Sequence, residues 1–69
     1  MEMKPVESSN ITEIGHDPST KKLRVRFKNG GLYEYDDVPA EAHDAFMHAE
    51  SVGSHFARHI RGAYLAHKV

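Results

Sequence analysis

The chain has 69 residues, 28% of them charged, a formal net charge of −1 and no cysteine. The missing thiols exclude a disulfide framework, a thiolate zinc site and a cysteine nucleophile. A chain of this length forms one domain with a thin core, because it buries only about 60% of the surface its unfolded form exposes, and no stretch approaches the roughly 20 apolar residues of a membrane span.

Residues 1–10 lack the charged-then-apolar order of a signal peptide, which predicts a soluble cytoplasmic protein. Residues 1–7 read as a flexible lead, with Pro5 keeping Lys4 out of helical geometry, and residues 8–69 as a single domain. Ser9–His16 has the composition of a strand. Ile11 and Ile14 have opposite parity, so a bulge or bend near Glu13 is needed to bring both to one face. Asp17-Pro18-Ser19-Thr20 is a turn: proline presets φ, and the aspartate side chain can accept from the backbone ahead of it. The strand before it therefore runs antiparallel to the strand after it.

In that next strand Leu23, Val25 and Phe27 alternate with Lys22, Arg24, Arg26 and Lys28, so the apolar set takes one face and the charges the other. The following run alternates Tyr33 and Tyr35 with Leu32, Glu34 and Asp36, and Asn29-Gly30-Gly31 supplies residues that tolerate positive φ in a tight hairpin. A two-residue loop would set Val25 opposite Glu34 and turn a carboxylate into the core, which is costly. A three-residue loop, Asn29–Gly31, sets Phe27 opposite Tyr33, Val25 opposite Tyr35, Arg26 opposite Glu34 and Arg24 opposite Asp36. The second register is the predicted one.

Asp36-Asp37-Val38-Pro39 opens a helix with Pro39 at its first position and acids beside its positive end. Val38, Ala42, Ala45, Phe46 and Ala49 recur at helical spacing, leaving Glu41, His43, Asp44, His48 and Glu50 for solvent. Gly53 reads as a stop. Ser54 then caps a second helix through about Arg61, with Phe56 and Ile60 as its apolar side and Gly62 ending it. Residues 63–69 dock by Tyr64 and Leu65, or fray. The prediction is an α+β domain: a three-stranded antiparallel β-meander followed by two short helices packed on one face, in the order β-β-β-α-α. Its first and third strands are free edges.

Several short pieces, taken in order, carry a family resemblance: Ser8-Ser9-Asn10-Ile11, Ile14-Gly15-His16-Asp17, Leu23-x-Val25-x-Phe27, Tyr33-Glu34-Tyr35, Val38-Pro39, Ala49-x-Ser51-x-Gly53 and Phe56-x-x-x-Ile60-Arg61-Gly62. Together they resemble the KTSC domain, whose central mark is a Tyr-x-Tyr. The resemblance implies a small bacterial or phage protein, or the appendage found at the C-terminus of some lysyl-tRNA synthetases. It also implies RNA binding as a suggested role and defines no catalytic residue. Phe27, Tyr33, Tyr35, Gly53 and Phe56 are expected to serve the fold. His16 and His43 stand where aromatic rings such as tyrosine are common in the family, and Ala57 where a polar residue is usual.

Candidate chemistry is sparse. Adjacent Ser54 and His55 cannot face each other, and with Asp44 they lack the elbow of a hydrolase, so no enzyme is predicted. Gly30-Gly31 is a turn and not a phosphate loop. His55 and His59 share a helix face as two metal ligands would, with His48 a conceivable third; no metal or other cofactor is predicted from them. The acids are unevenly placed: residues 1–50 hold all ten against six Lys and Arg, whereas residues 51–69 hold Arg58, Arg61 and Lys68 and none. Arg58, Arg61, Tyr64 and Lys68 are therefore the candidate RNA contacts of a noncatalytic binding module. The alternative is a protein-interaction module or homodimer, formed through a strand edge or the Phe56 and Ile60 region. No small-molecule substrate is implied.

Overall fold

The computed structural model describes residues 1–69. Its sheet has five antiparallel strands in sequential order, β1 (Met3–Pro5), β2 (Ile11–Asp17), β3 (Lys22–Phe27), β4 (Leu32–Tyr35) and β5 (Ala66–Lys68). Helices α1 (Ala40–Met47) and α2 (Val52–His55) lie between β4 and β5, and α2 continues into one π-helical turn, Phe56–Ile60. The α+β class and the two-helix layer are as predicted. The three-stranded meander is not, since a strand has been added at each edge.

The central strands form for the reason their alternation gives. Leu23 and Val25 are fully buried, while Arg24 and Arg26 lie on the other face. In β2 the register shifts between Ile11 and Glu13, which leaves Thr12 as the extra residue and brings Ile11 and Ile14 into one core at 0% and 1% exposure. The predicted bulge is therefore present. The Asp17 turn is present too, with Asp17 Oδ1 accepting from the Ser19 amide at 3.0 Å and the Ser19 hydroxyl at 2.7 Å.

The β3–β4 register differs from the prediction by two residues. Leu23 opposes Tyr35, Val25 opposes Tyr33, Arg24 opposes Glu34 and Arg26 opposes Leu32. The loop is Lys28–Gly30, closed by Phe27 N–H donating to the Gly31 carbonyl at 2.8 Å, with Gly30 at φ +95 and β4 beginning at Leu32. A slip of two keeps every side chain on its expected face. The ion pairs change partners instead: Arg24 pairs with Glu34 at 2.9 Å, Lys22 with Asp36, and Arg26 turns to Glu13 on β2 at 2.8 Å.

Residues 1–7, expected to be a flexible lead, contain β1, in which Met3, Lys4 and Pro5 oppose Gly15, Ile14 and Glu13. Gly15 is buried, and a Cβ there would run into Met3 Sδ, so the bare backbone is what lets β1 lie across it. At the other edge β5 sets Ala66, His67 and Lys68 against Tyr35, Glu34 and Tyr33. Tyr64 packs on the core, whereas Leu65 is 72% exposed.

Pro39 is the residue before the first turn of α1, one position earlier than predicted. The second helix, by contrast, begins earlier than expected: Ser51, not Ser54, caps it by accepting from the Ser54 amide, and Gly53 lies inside it. Gly53 lies close to the Ser8–Asn10 segment, where a Cβ would make tight contacts with Asn10 Oδ1 at 3.2 Å and Ser8 Oγ at 3.3 Å. Gly62, at φ +81, ends the π turn as predicted. Val38, Phe46, Val52, Phe56 and Ile60 close the core over the sheet. Phe56 and Ile60 are thus core residues and not an exposed interaction surface. No helix is long and apolar enough to cross a membrane.

Candidate functional site

The helical layer does not cover the whole inner face of the sheet. Where β3 and β4 reach the hairpin loop an open groove of about 430 Å³ remains beside the π turn, lined by Asn10, Phe27, Asn29, Tyr33, Tyr35, Phe56, Arg61, Gly62 and Ala66. Four aromatic rings build it, each meeting the next edge to face. Phe27 lies 5.8 Å from Tyr33 and 5.3 Å from Phe56, and Phe56 lies 5.8 Å from Tyr35. Tyr35 and Phe56 are buried and form the floor; Phe27 and Tyr33 are half-buried and form the sides.

The π turn sets the groove's cation. Its closing bond runs from the Arg61 amide to the Phe56 carbonyl at 2.8 Å, so the residue after the turn hangs beside the ring that begins it. Single π turns of this kind recur at functional sites. Burial raises the Tyr35 hydroxyl's pKa above its usual value, as does Tyr33, and the Arg61 guanidinium opposes both. A second depression adjoins the groove and shares Asn29 and Tyr33 with it, its other lining residues being Gly30, Gly31 and Lys68. Neither Arg61 nor Lys68 has a carboxylate within ion-pair distance.

A model of the KTSC domain family matches residues 7–64. This chain belongs to the KTSC domain family. The crystal structure of a KTSC domain protein from Yersinia pestis superposes with a TM-score of 0.96 at 41% identity, covering 99% of this chain and 96% of that one. A protein of Tsukamurella paurometabola is 47% identical over 51 residues, 74% of this chain and 76% of its own length. The lysine–tRNA ligase of Nostoc punctiforme is 34% identical over 62 residues, 90% of this chain but 11% of the ligase.

The KTSC fold brings together only some of the candidate RNA contacts. Arg61 and Lys68 converge on Tyr33 from the π turn and from β5. Arg58 is exposed on the π turn and lines no depression, and Tyr64 is held against the core. Phe27, Tyr33, Tyr35 and Phe56, expected to serve the fold alone, also line the groove. Asn10 and Asn29 were not singled out by their residue type. Their place in the Ser8-Ser9-Asn10 segment and in the glycine turn was the available signal.

The other charged clusters are internally matched. On the outer face His67 Nε2 lies 3.1 Å from Glu34 and 3.6 Å from Asp36. These are the three side chains close enough to share an ion, yet both carboxylates already face Arg24 and Lys22, whose contacts lower their pKa values. His55 stacks on Phe46 at 5.5 Å with His59 at 4.7 Å, and burial followed by His59 lowers the His55 pKa. His48 does not join them; it lies against Asp44. His16 and His43, the two rings that depart from the family pattern, stack on each other at 4.7 Å and 10°, with His16 Nε2 2.7 Å from the Val38 carbonyl.

Proposed function

We propose that this domain is a noncatalytic module that binds single-stranded RNA at the Tyr33 end of its inner face. The observation that carries the reading is a contrast among the four depressions on the molecule. The two that meet at Tyr33 contain no carboxylate, and each holds one unpaired cation, Arg61 or Lys68. The other two contain Glu7 and Glu50, or Glu41 and Asp44. Unpaired cations beside accessible rings suit phosphates and stacked bases. The ligases of Nostoc, named for their work on tRNA, carry a domain like this one, which fits the reading.

Protein association through a strand edge fits less well. The edges expected to be free are covered by β1 and β5, and each new edge is three residues long and carries Pro5 or Lys68, which discourage further pairing. The Ser54, His55 and Asp44 set lends no support to catalysis, since Asp44 faces His48 at 3.3 Å.

Titrating a fluorescent RNA octamer across salt concentrations tests the proposal. Binding should weaken with salt, and Arg61→Ala with Lys68→Ala should lower the slope by roughly 1.4, about 0.7 for each contact to a single strand. Arg58→Ala should leave it unchanged. No binding, or binding indifferent to salt, sinks the reading; a partner captured equally well after nuclease treatment would favour protein association.

A further inference from the structure

We propose that Glu34, Asp36 and His67 form a zinc site on the outer face of the sheet, one that clips β5 to β4. The placement follows from the backbone. Glu34 and Asp36 are two residues apart and so project from the same face, and His67 is the residue directly opposite Glu34 on β5. Asp36 stays in the ladder after β4 ends, because its amide donates to the Leu65 carbonyl at 2.9 Å. His67 Nε2 thereby lies 3.1 Å from Glu34 Oε2 and 3.6 Å from Asp36 Oδ1. Two ligands of a tetrahedral zinc ion, bonded at about 2.0–2.2 Å, stand about 3.3–3.6 Å apart, so both separations are close to those of a ligand pair. The three ligand atoms all lie within 4.8 Å of one another, and no other three side chains of these types come so close.

The cations beside this triad do not fill it. Arg24 donates to Glu34 Oε1 and leaves Oε2, the oxygen that faces His67. Lys22 donates to Asp36 Oδ1, and a carboxylate has about four acceptor positions, so one ammonium leaves others open. Carboxylates that ligate metals are hydrogen-bonded in turn, which fixes their orientation. Here two acids are held in place, their side chains 15% and 19% exposed, beneath an imidazole that is open to solvent. Zn2+ takes the place of the proton between Nε2 and Oε2, the imidazole then carrying its hydrogen on Nδ1, and water completes the fourth position. One imidazole with two carboxylates is a mixed nitrogen and oxygen set, which suits zinc better than the all-oxygen surroundings of calcium or magnesium. His55 and His59 are the rival pair, but no third ligand joins them, and His55 stacks on Phe46. The strand that gains from the clip is β5, whose three residues are all exposed and which carries Lys68.

Titrating zinc chloride into tag-free protein by calorimetry tests the site. His67→Gln, which keeps a hydrogen-bonding group at an exposed position, should weaken zinc binding about 100-fold, the upper end of what loss of even an outer partner costs. Asp36→Asn should do the same, and His55→Gln with His59→Gln should leave binding unchanged. Amide exchange is a second readout. Zinc should slow exchange of the Val69 amide, which donates to the Leu32 carbonyl, and of the Asp36 amide, in wild type and not in His67→Gln. Wild-type protein that binds no zinc at millimolar concentration overturns the inference. So does binding lost in His55→Gln with His59→Gln, binding undiminished by His67→Gln and by Asp36→Asn, or zinc that leaves both amides unprotected. No RNA enters the test, so the RNA reading stands or falls apart from it.

Discussion

The two faces of the sheet around the β3–β4 hairpin use their basic side chains in opposite ways. On the outer face Lys22, Arg24 and Arg26 each meet a carboxylate, and His67 lies across Glu34 and Asp36, so the surface is charged and locally neutral. At the open end of the inner face Arg61 and Lys68 flank rings with no acid nearby. The difference teaches that a stripe of arginines read from sequence says little about binding until its partners are known. Cations left over after pairing are what an anionic ligand can use.

The largest effect that could break this comparison concerns the groove's floor. Tyr35→Ala removes a ring only 5% exposed and should cost about 3–5 kcal/mol, a large part of the roughly 5–15 kcal/mol that holds a small domain together. Urea melts would measure it, and a variant near wild-type stability would mean that the ring is not structural. Tyr33→Ala, half-buried, should cost about 1–2 kcal/mol and still abolish salt-dependent RNA binding. Gly62→Ala should cost about 1–2 kcal/mol for conformation alone, since the added Cβ meets open space and only φ +81 opposes it.

Smaller still, Arg24→Ala or Glu34→Ala on the outer face should cost under about 1 kcal/mol and leave RNA affinity unchanged. Loss of affinity in either variant would move the site to the wrong face. The smallest effect is on pH dependence. Burial, then His16, lowers the His43 pKa below its ordinary 6.5, Lys4 on β1 adding to the shift and Asp44 opposing it, while Glu41 lines the same depression. The folded state therefore resists a proton that the unfolded chain accepts: stability is full above pH 6.5 and declines as pH falls through 6.5 toward the lowered value. Thermal melts at pH 7.5 and 5.5 should show a shallower decline for His43→Phe than for wild type.

Much of this was legible in the residues, within definable bounds. Alternation fixes parity, so Tyr33 and Tyr35 could be assigned inward and Ile11 and Ile14 could require a bulge. Parity repeats every two residues, so the slip that pairs Val25 with Tyr33 in place of Tyr35 cost nothing in facing and could be settled only by the geometry around Gly30. The edge strands gave no local sign, because Met3–Pro5 and Ala66–Lys68 are three residues long and do not alternate; tertiary pairing alone makes them strands. The groove was hidden for a related reason. A side chain facing inward is covered only as far as the next layer reaches it, and Phe56 of the π turn meets Phe27 and Tyr35 whereas Tyr33 meets only the Phe27 ring. The stacking of His16 on His43 was equally out of reach, since His43 reads as solvent-facing on its own helix.

The order β1-β2-β3-β4-β5 also bears on how the domain can be joined to other polypeptides. Four strand spacings separate the two outermost strands, roughly 19 Å. A protein fused ahead of Met3 is tethered at the margin farther from the groove, and its linker need not cross the Tyr33 end. Anything attached after Lys68 begins beside Tyr33 itself, because Lys68 pairs with that residue. An affinity tag for binding measurements therefore belongs on the amino-terminal side, where it neither screens Lys68 nor competes for the ring beside it.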